Sequence, residues 1–414
     1  MQAEVGRWRL YPTTVRNAVF LIAVLAMNYT LSRPSPVDFL FMLALALSVF
    51  VWQKVRLTFF VFFTLLVLWT VSFWIASIPF IGEPEVGQEA FKKTFVVVLG
   101  ISAAYISNDW GPRQLHAFMG VYIVSTVIAA CLGIVGFALG IDALTWDGRG
   151  KGFIDDPNMY SSFLLPGLIM CLYMLHERIG RAALLGPAIA ILVLGILVSF
   201  SRAAITATLI CSIGYIVFLN RGHLGRVLAY GTALVVLAGM ILTAALVSSP
   251  EFAEKFTQRA TLAESYDSGR EGRYGRYVRS IPLILENPAG LGILQLDKIF
   301  EEPIHNIFLS SFLNYGWLAG FSFLALFISS VLLSLANYRT TGHHPAAVAV
   351  FICFLGPLLC ALLHEGEHWR HFWLLLGILW GFNPARFQRT QAASPPPARV
   401  ARGRPPRLSL ADLR

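Results

Sequence analysis

The side chains best suited to chemistry in this sequence are a scattered set of arginines and one histidine. Ser201-Arg202 opens one apolar run, and His305-Asn306 opens another. Between them, Arg270, Arg273, Arg276 and Arg279 recur at every third position of the largest polar stretch. A guanidinium presents a planar fork of donors that matches phosphate oxygens and stays charged at any working pH. An imidazole accepts a proton near neutrality. Arg202, Arg273 and His305 together therefore carry the groups needed to grip a diphosphate and deprotonate a hydroxyl. The four closely spaced arginines cannot all serve one phosphate pair, because on a helix each step of three drifts by about 60° from a full turn. Those turned away from a ligand are solvated or snorkel to lipid headgroups. Charge beside a bilayer is costly and tends to mark function.

The elements that must position these groups are apolar. The chain has 414 residues, 56% of them hydrophobic and only 13% charged, the composition of a polytopic membrane protein. Twelve apolar runs near 15–31, 37–53, 57–78, 94–107, 115–140, 158–175, 182–200, 203–219, 227–247, 306–336, 346–363 and 370–383 predict an all-α transmembrane helical bundle of about twelve spans. The fourth and last runs are short. Arg7, Arg9 and Arg16 precede the first run without a small-residue cleavage site, so it reads as a span and not as a removed signal. Cys131, Cys171, Cys211, Cys353 and Cys360 all fall inside apolar runs, as small packing residues do.

Alternate polar segments hold most of the 32 Lys and Arg, including Lys54, Arg56, Arg113, Arg178, Arg181, Arg221, Arg226 and Arg339. That bias puts both termini in the cytoplasm. It also accounts for the net charge of +9 through topology and tail, which argues for contact with membrane lipids and against nucleic acid. Residues 1–383 read as one membrane domain, and 384–414 as a disordered basic cytoplasmic tail with Pro395-Pro396-Pro397. The opposite side carries short loops and one long one, 248–305. That loop should hold short helices: one from Ser249-Pro250-Glu251 to Glu264, with Phe252, Phe256 and Leu262 against the membrane surface, and one from Arg273 to Leu285.

In order, Ser201-Arg202, Arg273…Tyr277…Pro288…Gly290-Leu291-Gly292, and His305-Asn306…Tyr315-Gly316-Trp317-Leu318-Ala319-Gly320 resemble the motif set of the O-antigen ligase and O-antigen polymerase family. Tyr277 stands where that family usually has Trp. The spacing selects Arg273 over Arg270 as the matching arginine. The resemblance implies a metal-independent, cofactor-free glycosyltransferase of the bacterial inner membrane with a periplasmic active site, which would make 248–305 a periplasmic loop. The implied donor is a glycan on undecaprenyl diphosphate; the implied acceptor is lipid A core for a ligase, the preferred reading, or another lipid-linked repeat or glycan for a polymerase. His305 would then be the base, and Arg202 and Arg273 would hold the diphosphate and stabilise the leaving charge. Arg270, Arg276, Tyr277, Asn306 and Asp156 are the associated substrate-binding candidates. Asp156, in Asp155-Asp156-Pro157-Asn158, reads equally as a turn and helix cap.

Three rivals compete. His364-Glu365-Gly366-Glu367-His368 fits H-E-x-x-H, with His371 as a third possible ligand, the pattern of a zinc protease. Gly366 weakens a helix there, and the bland alternative is a polar turn at headgroup level. Twelve spans also suit a transporter, but the polar residues gather at one face instead of the midplane and no internal repeat is visible. A glycosyltransferase of another lineage would use Asp38 as base, although Pro34-Ser35-Pro36-Val37-Asp38 also reads as a helix start.

Overall fold

The computed structural model describes residues 11–32, 34–260 and 272–392. Arg270, Leu262 and the tail beyond residue 392 lie outside them. The protein is an all-α polytopic bundle; the only sheet among the described residues is a two-stranded ribbon, β1 (Thr145–Trp146) and β2 (Arg149–Gly150). Each of the twelve apolar runs is a helix. They are α1 (Pro12–Leu25), α2 (Pro36–Ser48), α3 (Leu57–Ser77), α4 (Pro84–Ser107), α5 (Pro112–Leu139), α6 (Pro157–His176), α7 (Ala182–Val198), α8 (Arg202–Leu219) and α9 (Leu224–Ser248). After two loop helices, α10 (Pro250–Ala260) and α11 (Arg273–Glu286), come α12 (Ile307–Thr340), α13 (Pro345–Ala361) and α14 (Arg370–Gly381).

Seven of these (α3, α4, α5, α6, α8, α9 and α12) are long and apolar enough to cross a membrane. The others are shorter for local reasons. α14 is only 12 residues long, and every one of them is buried, between α4, α13, α3 and α12; a helix apolar on all sides belongs in the interior. α4 begins ten residues before the hydropathy suggests. Its first turns carry Glu85, Glu89, Lys92 and Lys93, and the last three line an internal cavity.

Alternate loops meet at the same end of the bundle. At one end the Thr30 amide donates to Phe153 O (3.0 Å), Lys298 pairs with Glu83 (3.1 Å), and Lys93 pairs with Glu367 (2.7 Å). At the other, Arg16 pairs with Asp109 (3.4 Å), and Arg56 donates to the Trp380 carbonyl (2.9 Å). Helices 384–392 and 250–260 add detail to the sequence reading. Pro384–Ala392 forms α15, with Phe387 buried against Phe382 (ring centroids 4.6 Å apart), so helical structure runs past the expected start of the tail. Phe252 is 1% exposed, packed on Phe200 and Phe137 and not laid on the membrane surface: its ring clamps α10 to the turn before α8.

The glycine motif explains how the long loop docks. α12 breaks at Gly316, whose φ is +81°, a conformation that favours glycine. The break frees carbonyls of the preceding turn. Leu291 and Gly292 amides donate to Leu313 O (2.7 Å) and Asn314 O (2.9 Å), and the Trp317 amide donates to Pro288 O (2.9 Å). The Tyr315 carbonyl accepts from Ser72 Oγ (2.7 Å). A Cβ on Gly316 would sit 2.4 Å from Pro288 O, and one on Gly290 would sit 2.5 Å from the Gly316 nitrogen. The two backbones touch, so neither position has room for a side chain. Asn287-Pro288-Ala289-Gly290 is thus a plug in the kink of α12.

Candidate active site

His305 sits just ahead of α12, held on three sides. Leu296, Phe300, Ile304 and Leu313 form a small satellite core that pins the segment before it. The Tyr277 phenol, on α11, donates to the His305 carbonyl at 2.6 Å. Asn306 caps α12, accepting from the Phe308 and Leu309 amides (3.0 Å each), while its Nδ2 donates to Leu362 O (3.1 Å). Asn306 and Tyr277, expected as substrate contacts, thus bond to the backbone at and just after His305. The His305 ring lies 5.9 Å from that of His364. Its Nδ1 is buried without a hydrogen-bond partner. Burial first, then the charges of Arg273 and Arg276, push its pKa down to about 4, against a small opposing effect of Glu302.

Arg273 is the first residue of α11. Its charge acts on both His305 and His364, whereas that of Arg276 acts on His305 and not on His364. Arg276, one turn on, is 3% exposed and paired with Glu302 (2.8 Å), which ties α11 to the loop beneath it. Arg279 lies over the Phe300 ring at 5.1 Å. The three described arginines thus take different partners, as their spacing requires.

Arg202 follows Ser201, the N-cap of α8, whose Oγ accepts from the Ala204 amide (3.4 Å). The preceding Phe200 has φ +49° and is clamped between Phe137 and Phe252. A non-glycine residue held there stores backbone strain of the kind found at functional sites. Arg149, on β2, reaches the same turn: its Nε donates to Ser199 O (2.7 Å), and its Nη2 donates to Asn158 Oδ1 (3.0 Å). The charge of Arg149 also acts on His364. Arg149 was not apparent from sequence; its only signal is a positive charge in Gly148-Arg149-Gly150, close before the Asp155-Asp156 segment. Asp156 caps α6, accepting from the Asn158 and Met159 amides (2.7 and 3.0 Å), and burial raises its pKa against those bonds.

His364 completes a cationic corner. Burial, then His305, Arg273 and Arg149, lower its pKa to about 3, so it is a neutral imidazole amid arginines. The rest of the H-E-x-x-H stretch does not form the helix a zinc site needs. Gly366–His368 is a single 3₁₀ turn, and His371 lies apart, with Nε2 3.1 Å from Ser162 Oγ. Among the described residues, no group of three or more His, Cys, Asp or Glu is placed to hold a metal ion. Asp38 is likewise engaged: it binds Arg370 in a two-pronged pair (2.6 and 2.8 Å), and accepts from the Ser35 amide (2.8 Å).

Beside this corner lies a cavity of about 690 Å³, lined in part by Pro303 and Glu365. That volume is in the range of small-ligand sites. At its floor Glu367 Oε2 accepts from Lys93 Nζ (2.7 Å) and the Tyr315 phenol (2.5 Å). Burial, and then the neighbouring charge of Glu367, push Glu365 up to about 7.

Residues 187–324 match the family model described as O-antigen ligase. The match supports the O-antigen ligase family, and with it a membrane glycosyltransferase of the ligase or polymerase type. It spans about a third of the chain and contains Arg202, Arg273, His305 and both glycines of the α12 plug. No curated protein matches the chain.

Proposed function

We propose that the protein transfers a glycan from undecaprenyl diphosphate to an acceptor hydroxyl at the periplasmic face of the bacterial inner membrane, with lipid A core as acceptor. What supports this reading is the approach of the His305 and His364 rings to 5.9 Å, under the charges of Arg273 and Arg149, at the bundle end that also bears the Arg202 turn. Arg202 and Arg273 hold the diphosphate. Neutral His305 takes the proton of the acceptor hydroxyl as its oxygen bonds to the anomeric carbon. The bond from that carbon to the diphosphate oxygen breaks, and the polyprenyl diphosphate leaves with the electron pair. Donors aimed at that growing charge contribute on the order of 3–4 kcal/mol each. The leaving group supplies the driving force, so the reaction calls for neither nucleotide nor cofactor. The excess of Lys and Arg in the loops at the opposite end of the bundle supports a periplasmic site and cytoplasmic termini.

A polymerase of the same family is the second reading, since the ordered motifs are common to both. Profiling lipopolysaccharide and lipid-linked glycans in a deletion strain separates them. Long lipid-linked chains with an uncapped core identify a ligase. Accumulated single repeats identify a polymerase, and an unchanged glycan profile contradicts both.

A further inference from the structure

The cavity beside His305 differs in chemistry from the cationic corner. Its wall carries Asp38, Glu89, Asp155, Asp297, Glu365 and Glu367 against Lys92, Lys93 and Arg370. All three cations are committed: Arg370 to Asp38, Lys93 to Glu367, and Lys92 to Glu89 (2.5 Å). Even with Asp155 set aside, the carboxylates among the described lining residues outnumber the cations there, which disfavours an anion. Two buried acceptor atoms also lack a hydrogen-bond partner. Glu367 has a side chain 2% exposed, yet its Oε1 has none. Asn314 uses its Nδ2 on Ser310 Oγ (3.0 Å), while its Oδ1 has none. An unmet buried acceptor costs free energy until a donor arrives. Both atoms ask for the O–H of a polyol or the N–H of an ammonium. Phe91, 73% exposed, and Phe95 add apolar faces of the kind on which sugar rings pack. The segment 364–365 joins the two regions: His364 lies beside His305, and the next residue, Glu365, lines the cavity.

We propose that this cavity is the acceptor-sugar subsite, and that it selects an uncharged or amino-substituted sugar over one bearing a carboxylate or phosphate. This rests on the glycosyl-transfer reading above. The diphosphate goes to the arginines; the sugar that receives the glycan goes to the carboxylates, with its reacting hydroxyl towards His305.

The test is saturation-transfer NMR on the full-length protein in nanodiscs, with three free tetrasaccharides: maltotetraose, the glucosamine tetramer and tetragalacturonate. The neutral and amino probes should bind, and tetragalacturonate should bind at least about tenfold more weakly. The double variant Glu365→Gln, Asp297→Asn should lose that discrimination; neither side chain makes a hydrogen bond or ion pair that the fold relies on, so the variant should fold. His305→Ala should keep the preference for the neutral and amino probes over tetragalacturonate. Equal binding of tetragalacturonate, no binding of any probe, or discrimination that survives the double variant would each overturn the proposal. Intact sugar selectivity in a protein without transferase activity would count against the transfer reading alone. Transfer without sugar selectivity would count against the subsite alone.

Discussion

Tyr277 donates its phenolic proton to the backbone carbonyl of His305 across 2.6 Å. This bond ties α11, which bears Arg273, to the backbone of His305, whose imidazole feels the charge of that arginine. Tyr277→Phe removes the bond and leaves the ring. One such hydrogen bond contributes about 0.5–1.5 kcal/mol. The expected outcome is a fall in kcat of up to about tenfold with donor KM little changed. Steady-state transfer kinetics with purified enzyme check it; a large rise in donor KM at constant kcat would place Tyr277 on the substrate instead.

The pH profile follows from the burial of His305 and from the arginines around it. Its pKa, lowered to about 4, leaves the imidazole neutral and able to accept a proton across the physiological range. A bound diphosphate offsets the charge of Arg273 and raises that pKa in the complex. The acid limb of kcat should therefore lie at higher pH than the acid limb of kcat/KM. The same depression has a consequence for stability. Between about pH 6.5 and 4 the unfolded chain binds a proton that folded His305 refuses. Stability is thus fully present above pH 6.5 and declines as pH falls through that window. Both limbs are read from pH-rate profiles, and coincident limbs would contradict the electrostatic account.

Gly316→Ala should lower the apparent melting midpoint of the detergent-solubilised protein by several degrees. The substitution strains a positive-φ position by about 1–3 kcal/mol and drives a methyl against Pro288 O. Gly239→Ala, inside α9 and with nothing within 4 Å of the added Cβ, should not lower the midpoint, since alanine is the better helix former. A midpoint for Gly316→Ala equal to that control would mean the plug is not rigid.

Asp38→Asn separates a structural carboxylate from a catalytic one. Asp38 and Arg370 form a nearly buried pair, and removing one partner of such a pair costs about 3–5 kcal/mol. The variant should unfold more easily while retaining activity per folded molecule, as measured by melting and by transfer on the folded fraction. Abolished transfer at unchanged stability would revive Asp38 as the base.

The bundle was legible from hydropathy because lipid demands long apolar runs, and all twelve became helices. What hydropathy missed has a physical pattern. α4 starts early because Glu89, Lys92 and Lys93 face a cavity and not lipid, so polarity there marks an interior surface and not a loop. Phe252 faces inward because Phe137 and Phe200 offer it a pocket, which an amphipathic pattern cannot distinguish from a membrane surface. Of the site, the ordered motifs single out Arg273 and His305, and the charge of Arg273 does act on that imidazole. The pairing of Asp38 with Arg370 and of Lys93 with Glu367 was not readable, since each joins residues hundreds of positions apart. Arg149 was hidden for a different reason: its partners depend on where the β1–β2 ribbon folds back against the turn at Ser199.

The central claim is that His305 takes the proton of the acceptor while the arginines keep the diphosphate. It is tested most directly by single-turnover transfer from a synthetic polyprenyl-diphosphate glycan, using full-length His305→Ala in proteoliposomes, with donor binding measured on the same preparation. The variant should show unchanged donor affinity and a rate lowered by about 10²–10⁴-fold. Transfer at the unaltered rate, with the folded variant present in equal amount, would contradict it.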